Sequence, residues 1–404
     1  MSAPLSPRFA SALSVDANSA RAEEQVLERL AAGLEGAKPD LLAVFVSHHH
    51  GGAIEELGPR LQAATGARVV VGCTGESIIG ADREVEHEPA LSVWAAVLPE
   101  TELRPFAVSE TSGPDGQAIF SELPDVRDRA KASVLILADP FSFTCMDEFL
   151  ERLNTEFPGV PAVGGMASGG MGPGQNLLIT ERGLVSGGAV GVVLEGKIEV
   201  CSIVSQGCRP VGKPWVVTAS QEHMIQKMGG RPAVDVLMET LQSLTPRDQK
   251  LFQKQPFMGL AIDPKKSQFE RGDFLVRGIR GLQPKEKAIA IGNALRKGQT
   301  VQFLVRDAES ASEDLAQLME SQGGGALGDV QSPHAAGALL FSCNGRGTRM
   351  FSKPDHDVSC VRSGLKADLP VAGFFAMGEV GPVGGRNFLH GFTASVAVFR
   401  PRTG

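Results

Sequence analysis

The chain contains no tyrosine and only two tryptophans in 404 residues. Phenolic chemistry is excluded, and aromatic platforms for stacking single-stranded bases are scarce. No basic stripe is visible, and the formal net charge is −7, which argues against nucleic acid as the main partner. No apolar run is long enough to cross a bilayer. The N-terminus, MSAPLSPRFASALSVDANSA, lacks the apolar stretch behind basic residues that marks a secretory signal. The six cysteines (Cys73, Cys145, Cys201, Cys208, Cys343, Cys360) form no CxxC pair, so a zinc finger is not expected. These absences predict a soluble protein of a reducing cytoplasm, its thiols free and mostly buried, with no nucleic-acid or membrane partner.

What is present is a series of short apolar strands separated by amphipathic helices. The length favours two domains over one core. Val26, Leu27, Leu30 and Leu34 recur at helical spacing after Asn18 and Ser19. LLAVFVS reads as a buried strand ending at Ser47. A helix follows through AIEELGPRLQAATG, with Gly58-Pro59 expected to bend or split it, and ARVVVGC and ALSVWAAVLP read as further strands. The same order returns from ASVLILAD, and again from AGALLFSCNGRG. GGAVGVVLEGKIEVCSIVS reads as a hairpin about Glu195-Gly196, TPRDQKLFQKQP as a polar linker, and QGGGALGDVQSP as a loop.

Three segments after the second strand of each series look related: VVVGCTGESIIG from Val69, PAVGGMASGGMGPGQN from Pro161 and PVAGFFAMGEVGPVGGRN from Pro370. From Ser47 to Gly72 and from Asp139 to Gly164 is 25 residues; from Ser342 to Gly373 is 31. The expectation is an α/β fold with mixed sheets flanked by helices in two domains, built from a repeated strand–helix–strand–glycine-turn–strand unit.

The glycine-rich stretch GFFAMGEVGPVGGRNFLHGF, Gly373 to Phe392, is not a phosphate loop. It has no lysine, carries an internal proline, and runs into a strand instead of a helix N-terminus. Its glycines suit either a tight strand crossing or a ligand on bare amides. Glu379 in so apolar a segment must be paired or solvated by a cleft; a ligand amino group would suit it, and so would Arg386 or Arg346. In CNGRG, Asn344 and Arg346 could read a carboxylate. Cys343 could be a nucleophile with His390 as base; the plainer reading is a packed thiol. In SHHH, His48 and His50 would point the same way if the strand continued, permitting a two-histidine metal site, but nothing nearby completes it. His390 also offers an axial haem ligand, on slender grounds. In SQGCRPVG, a turn set by Pro210 would make a domain joint or aim Arg209 into a cleft.

GALLFSCNGRG together with GFFAMGEVGPVGGRNFLHGFTASVAVF resembles the C-terminal half of the FIST family, named for F-box and intracellular signal transduction. SQGCRPVGKPWVVT, GGAVGVVLEG and FASALSVD are similar to its junction and N-terminal half. The resemblance implies a sensory or ligand-binding module, with amino acids among the proposed ligands, in a form without an F-box. It implies a FIST N-like domain over 37–215 and a FIST C-like domain over 216–404, after an N-terminal extension and helix over 1–36. Some relatives are described as haem-binding, but no cofactor is expected here. The expected ligand site, between the two halves, draws on Ser47, His48, His49, Glu76, Asn344, Arg346, Glu379, Arg386, Asn387 and His390, with no metal and no catalytic residue. A signalling protein is the expected macromolecular partner. The alternatives are a cofactor-independent hydrolase or isomerase using Cys343 or the carboxylates Glu76 and Glu379, and a protein-interaction scaffold.

Overall fold

The structure, a computed structural model, describes residues 6–185, 187–266, 268–292, 295–323, 335–366 and 368–402. The loop expected at 322–333 lies, from residue 324 onward, outside them. The fold is mixed α/β. The chain forms two compact units, one of Met1–Val204, Leu315–Leu389 and Thr393–Gly404, the other of Ser205–Asp314 with His390–Phe392.

The first unit is built on three six-stranded sheets with one shared strand plan. Each has a parallel pair at its centre: Leu41–Ser47 beside Val69–Gly75, Ala132–Ala138 beside Ala162–Met166, and Gly337–Cys343 beside Val371–Ala376. Outside the first strand of each pair lies an antiparallel strand, respectively Leu91–Val97, Ala189–Gly196 and Thr393–Pro401. Beyond these come Arg8–Ser14, Thr101–Val108 and Ile198–Gln206.

The far side of each pair is closed by a hairpin from elsewhere in the chain. Ser77–Gly80 and Arg83–Glu86 follow the first pair but join the third sheet. Leu178–Thr180 and Gly183–Val185 follow the second pair but join the first sheet. Glu379–Val383 and Arg386–His390 follow the third pair but join the second sheet. The sheets are thus interlocked in a ring of exchanges.

This plan corrects the expected hairpin at Glu195-Gly196. Ala189–Gly196 already has Ala132–Ala138 on one side and Thr101–Val108 on the other, so no edge is left for Ile198–Gln206. Gly196, at φ +146°, is where the chain leaves one sheet for another, close over the Glu100 carbonyl.

Strand periodicity sets the layers. Leu41, Ala43 and Phe45 of the first sheet, Leu135 and Leu137 of the second, and Leu339 and Phe341 of the third share one central core. Phe45 stacks on Phe374 at 5.3 Å, and Trp94 meets Phe399 at 4.6 Å. The alternate residues face outward under helices. Leu42, Val44 and Val46 pack with Ala22, Val26 and Leu30 of Ser19–Gly33. Val134, Ile136 and Ala138 lie under Met146–Glu156. Ala338 and Leu340 pack with Val358 and Val361 of His356–Leu365. Burial on both faces explains why these strands are uninterrupted apolar runs.

The segment expected as one helix over 53–66 is divided just before Gly58-Pro59: a 3-10 turn ends at Ile54 and the α-helix is Leu57–Thr65, with Pro59 in its first turn, where a missing N–H breaks no internal bond. One helix expectation needs correction. The polar linker is largely a helix, Pro246–Lys254, with Thr245 accepting from the Asp248 amide and proline at its start.

In the second unit, Cys208–Gln221, Thr300–Arg306, Pro256–Ala261, Phe274–Gln283, Ala288–Ile291, Met224–Met228 and Arg231–Pro232 form one antiparallel sheet. Cys208–Gln221 also pairs with Met224–Met228, closing it on itself. SQGCRPVG is therefore no turn: Pro210 sits inside a strand, and Arg209 is bound to Asp248 and Asp307 within this unit.

Three glycines hold equivalent stations in the parallel pairs. Gly72 opposes Val44, Gly164 opposes Ile136, and Gly373 opposes Leu340. At each, a Cβ would sit far inside van der Waals contact with the partner's carbonyl oxygen. Gly373→Ala is expected to cost about 3 kcal/mol or more in denaturant unfolding, the upper range for overpacking. Gly52→Ala, with open space around it, is the near-neutral control.

Candidate functional site

The ends of the three parallel pairs in the first unit meet. The Ser168 hydroxyl accepts the Glu76 amide at 2.8 Å and donates to the Phe375 carbonyl. The Ser168 amide donates to Thr74 O at 3.1 Å, the Met166 amide donates to Gly378 O at 2.8 Å, and the Met377 amide donates to Met166 O at 3.1 Å. Loops at the carboxyl ends of parallel strands are free of sheet pairing and available for chemistry.

His48 and Glu76 are gathered here. His48 Nε2 lies 3.1 Å from Ser168 O. Glu76 forms a two-armed ion pair with Arg349, whose Nη1 also donates to Asn344 O at 2.9 Å. The two-histidine metal arrangement does not form. The strand stops at Ser47, a 3-10 turn over His48–Ile54 follows, and His50 turns instead to Ser19. Among the described residues no group of three or more histidine, cysteine or acidic side chains is placed to hold a metal. Ser47 is committed to the frame: its hydroxyl accepts the Ala90 amide and lies 3.2 Å from His49 Nδ1, with His49 itself exposed.

Beside this junction, the end of Gly337–Cys343 carries a buried polar cluster. Arg346 is fully buried and holds both Asp357 oxygens, at 2.6 and 2.8 Å. The Ser342 hydroxyl and His356 Nδ1 also bond Asp357. Phe351 stacks on His356 at 3.5 Å and lies under the Arg346 guanidinium. Burial alone would raise Asp357, but the Arg346 charge and these hydrogen bonds hold it well below the usual carboxylate range. Glu84, from the exchanged hairpin, accepts the Val358 amide. Burial, then the neighbouring Asp357 charge, pushes Glu84 up to about 8.

Glu379 is fully buried. Its Oε2 accepts the Thr393 amide at 3.1 Å and the Thr393 hydroxyl at 2.7 Å. Burial pushes it up to about 8 against the opposing effects of Thr393, Arg346 and the Cys343 thiol. Three buried atoms here lack a hydrogen-bond partner: Asn344 Oδ1, Arg346 Nη1 and Glu379 Oε1. Cys343 is half-buried and interacts with Glu379.

The other expected residues lie apart from this cluster. Arg386 is exposed and paired with Glu151. Asn387 ties strands together: its side chain accepts the Ala162 amide and donates to Val160 O, and its backbone bonds Asn154. His390 belongs to the second unit and is 3% exposed. Its neighbour Phe392 packs edge-on to Phe257 at 4.5 Å.

Sequence reasoning missed Asp357, Glu84, Arg349, Ser168 and Thr393. Asp357 had a readable signal, since an acid in a first helical turn, eleven residues after an arginine in an apolar segment, can complete it.

The architecture and this cluster define a mixed α/β protein with a buried polar site at converging strand ends. Residues 40–231 match the FIST N domain and residues 233–382 the FIST C domain; the chain belongs to the FIST family. An uncharacterized protein of Mycobacterium tuberculosis strain H37Rv is 40% identical over 366 residues, spanning 91% of this chain and 92% of its own. An uncharacterized protein of Mycobacterium bovis is 37% identical over 368 residues, with the same shares of the two chains. Among the described residues no helix is long and apolar enough to cross a membrane.

The raised carboxyls fix the sign of a pH effect. Between the unfolded carboxylate range and about pH 8, folded Glu379 and Glu84 keep protons that the unfolded chain has lost, so their contribution to stability declines as pH rises through that window. The melting temperature is expected to fall between pH 5 and 8, and Glu379→Gln is expected to flatten the slope. An unchanged slope in the variant would show that Glu379 ionises freely.

Proposed function

We propose that the protein is a soluble, cytoplasmic sensory protein of intracellular signalling that binds a small zwitterionic metabolite of the amino-acid class. The reading rests on one observation: a donor and two acceptors, Arg346 Nη1, Asn344 Oδ1 and Glu379 Oε1, are buried without partners in one neighbourhood. Buried polar atoms are normally satisfied. A ligand carboxylate suits the guanidinium nitrogen, and a ligand ammonium suits the two oxygens. The same ammonium would draw the Glu379 pKa down, so binding below about pH 8 releases a proton. Arg346 keeps its bond to Asp357 throughout, which holds the free donor in place. The site needs no cofactor, and a signalling protein would read the liganded state. We also infer that the three sheets of the first unit descend from one repeated segment; their shared strand plan supports this.

The test is a thermal-shift screen of amino acids and related metabolites. A ligand at a hundred times its dissociation constant stabilises by about 2.7 kcal/mol. Asn344→Ala and Glu379→Gln are expected to remove the shift, and calorimetry in buffers of different ionisation enthalpy to detect the proton. A shift that survives both substitutions places the ligand elsewhere. Turnover of the bound compound would favour an enzyme instead.

A further inference from the structure

The outer face of the first sheet is covered by two helices, Ser19–Gly33 and Leu57–Thr65, and an apolar groove of about 360 Å³ lies between their C-terminal ends. That is within the range of small-ligand pockets, about 300–1,000 Å³. Leu30, Leu34 and Ala95 line it from buried positions, and Ala31 and Ala64 from exposed ones. Alanine at 31, 64 and 95, where a longer side chain would fill the space, leaves the groove open. The Thr65 hydroxyl adds little polarity, because it donates to Leu61 O at 2.7 Å and accepts the Ala67 amide at 3.3 Å.

The lining carries a single charged side chain among the described residues, Lys38. Its stem runs against Gly66, the left-handed cap of Leu57–Thr65, with Cδ 3.4 Å from where a Cβ would stand. The stem thus covers apolar surface while the ammonium stays in reach of solvent. The acids that flank Lys38 in sequence are taken, Glu35 by Arg8 at 2.6 Å and Asp40 by Arg68 at 3.1 Å. The Lys38 ammonium has no ion-pair partner among the described residues.

Two helix C-termini at one groove would by themselves favour a cation. Their carbonyls are largely engaged: Leu30, Ala31 and Ala32 accept the Leu34, Gly36 and Glu35 amides, and Gln62 accepts the Gly66 amide. Such an end carries about half a charge before capping, so the whole charge of Lys38 sets the sign.

We propose that this groove binds a small amphiphilic carboxylate, its unbranched apolar tail lying between the two helices and its carboxylate meeting Lys38. The tail removes the exposed part of an apolar surface from water, and the head pairs the unpartnered cation. The groove shares no residue with the Arg346–Glu379 cluster, so either proposal can fail alone.

The experiment titrates the full chain with butanoate, hexanoate and octanoate, followed by calorimetry and by the alanine methyl resonances. Saturable binding of octanoate is expected, with affinity rising about two- to fourfold for each methylene added. Lys38→Met is expected to weaken octanoate at least fivefold and to leave 1-octanol unchanged. Ala31→Phe and Ala64→Phe, both at exposed positions, are expected to weaken octanoate at least tenfold by filling the groove. Octylamine is expected to bind more weakly than octanoate. Absence of saturable octanoate binding, equal binding of octylamine, an unchanged affinity in Lys38→Met, or binding that survives both phenylalanine substitutions would overturn the proposal.

Discussion

The buried Arg346–Asp357 pair is the interaction on which the strand-end cluster of the first unit depends. A guanidinium with no solvent access requires a facing carboxylate, and removing either partner from such a pair costs about 3–5 kcal/mol. Asp357 opens the helix that covers the third sheet, and Arg346 follows the strand at that sheet's centre. The pair therefore fixes the strand-end loop against the helix. Glu84 and Asp355 add the exchanged hairpin, since Glu84 accepts the Val358 amide and Asp355 accepts the Glu84 amide. One ion pair thus registers strand, helix and hairpin together. Ser342 and His356 add hydrogen bonds to the Asp357 carboxylate, which makes its charge tolerable without water.

The same rigidity accounts for what is left unsatisfied. Once both Asp357 oxygens are engaged, Arg346 Nη1 has no protein acceptor, and the Thr393 bonds draw on only one Glu379 oxygen. Such groups are costly to bury and are held in place only by structure that over-determines them. The contrast with Asp139 is instructive. It sits just past the end of the second sheet's central strand, and both its oxygens are used, by Ser142, Asn176 and the Phe141 amide. Neighbouring strand ends of one plan are thus filled differently, one closed and one with spare donors and acceptors.

Much of the fold was legible in the sequence because its central strands are buried on both faces and so read as continuous apolar runs. LLAVFVS, ASVLILA and GALLFSC could hardly be anything else. The exchanged hairpins were not legible. Strands as short as Leu178–Thr180 carry no period, and nothing local says which sheet a three-residue strand will join. Pro246–Lys254 was hidden by its polarity, although Thr245, Pro246 and Asp248 spell a helix start. In the site, Arg346, Asn344 and Glu379 stood out as polar residues in apolar surroundings. Their partners did not, because Glu84 meets Val358 across 274 positions of chain. Asn387 stood out for the same reason as Glu379, yet its amide satisfies strand backbone instead.

The ring of hairpin exchanges bears on how the chain is made. The first sheet has all its strands once Gly183–Val185 has been synthesised. The second waits for Arg386–His390, almost at the end, and Ser77–Glu86 has no sheet to join until Val371–Ala376 exists. The segment matching the FIST N domain alone would carry the hairpin of Ser77–Gly80 and Arg83–Glu86 unpaired, the first sheet open where Arg8–Ser14 belongs and the second open where Glu379–Val383 belongs, all templates for wrong association. Contacts this distant in sequence close slowly. Completion of the first unit is therefore an event that follows synthesis of nearly the whole chain, and a nascent chain must keep its edges from pairing with others until then.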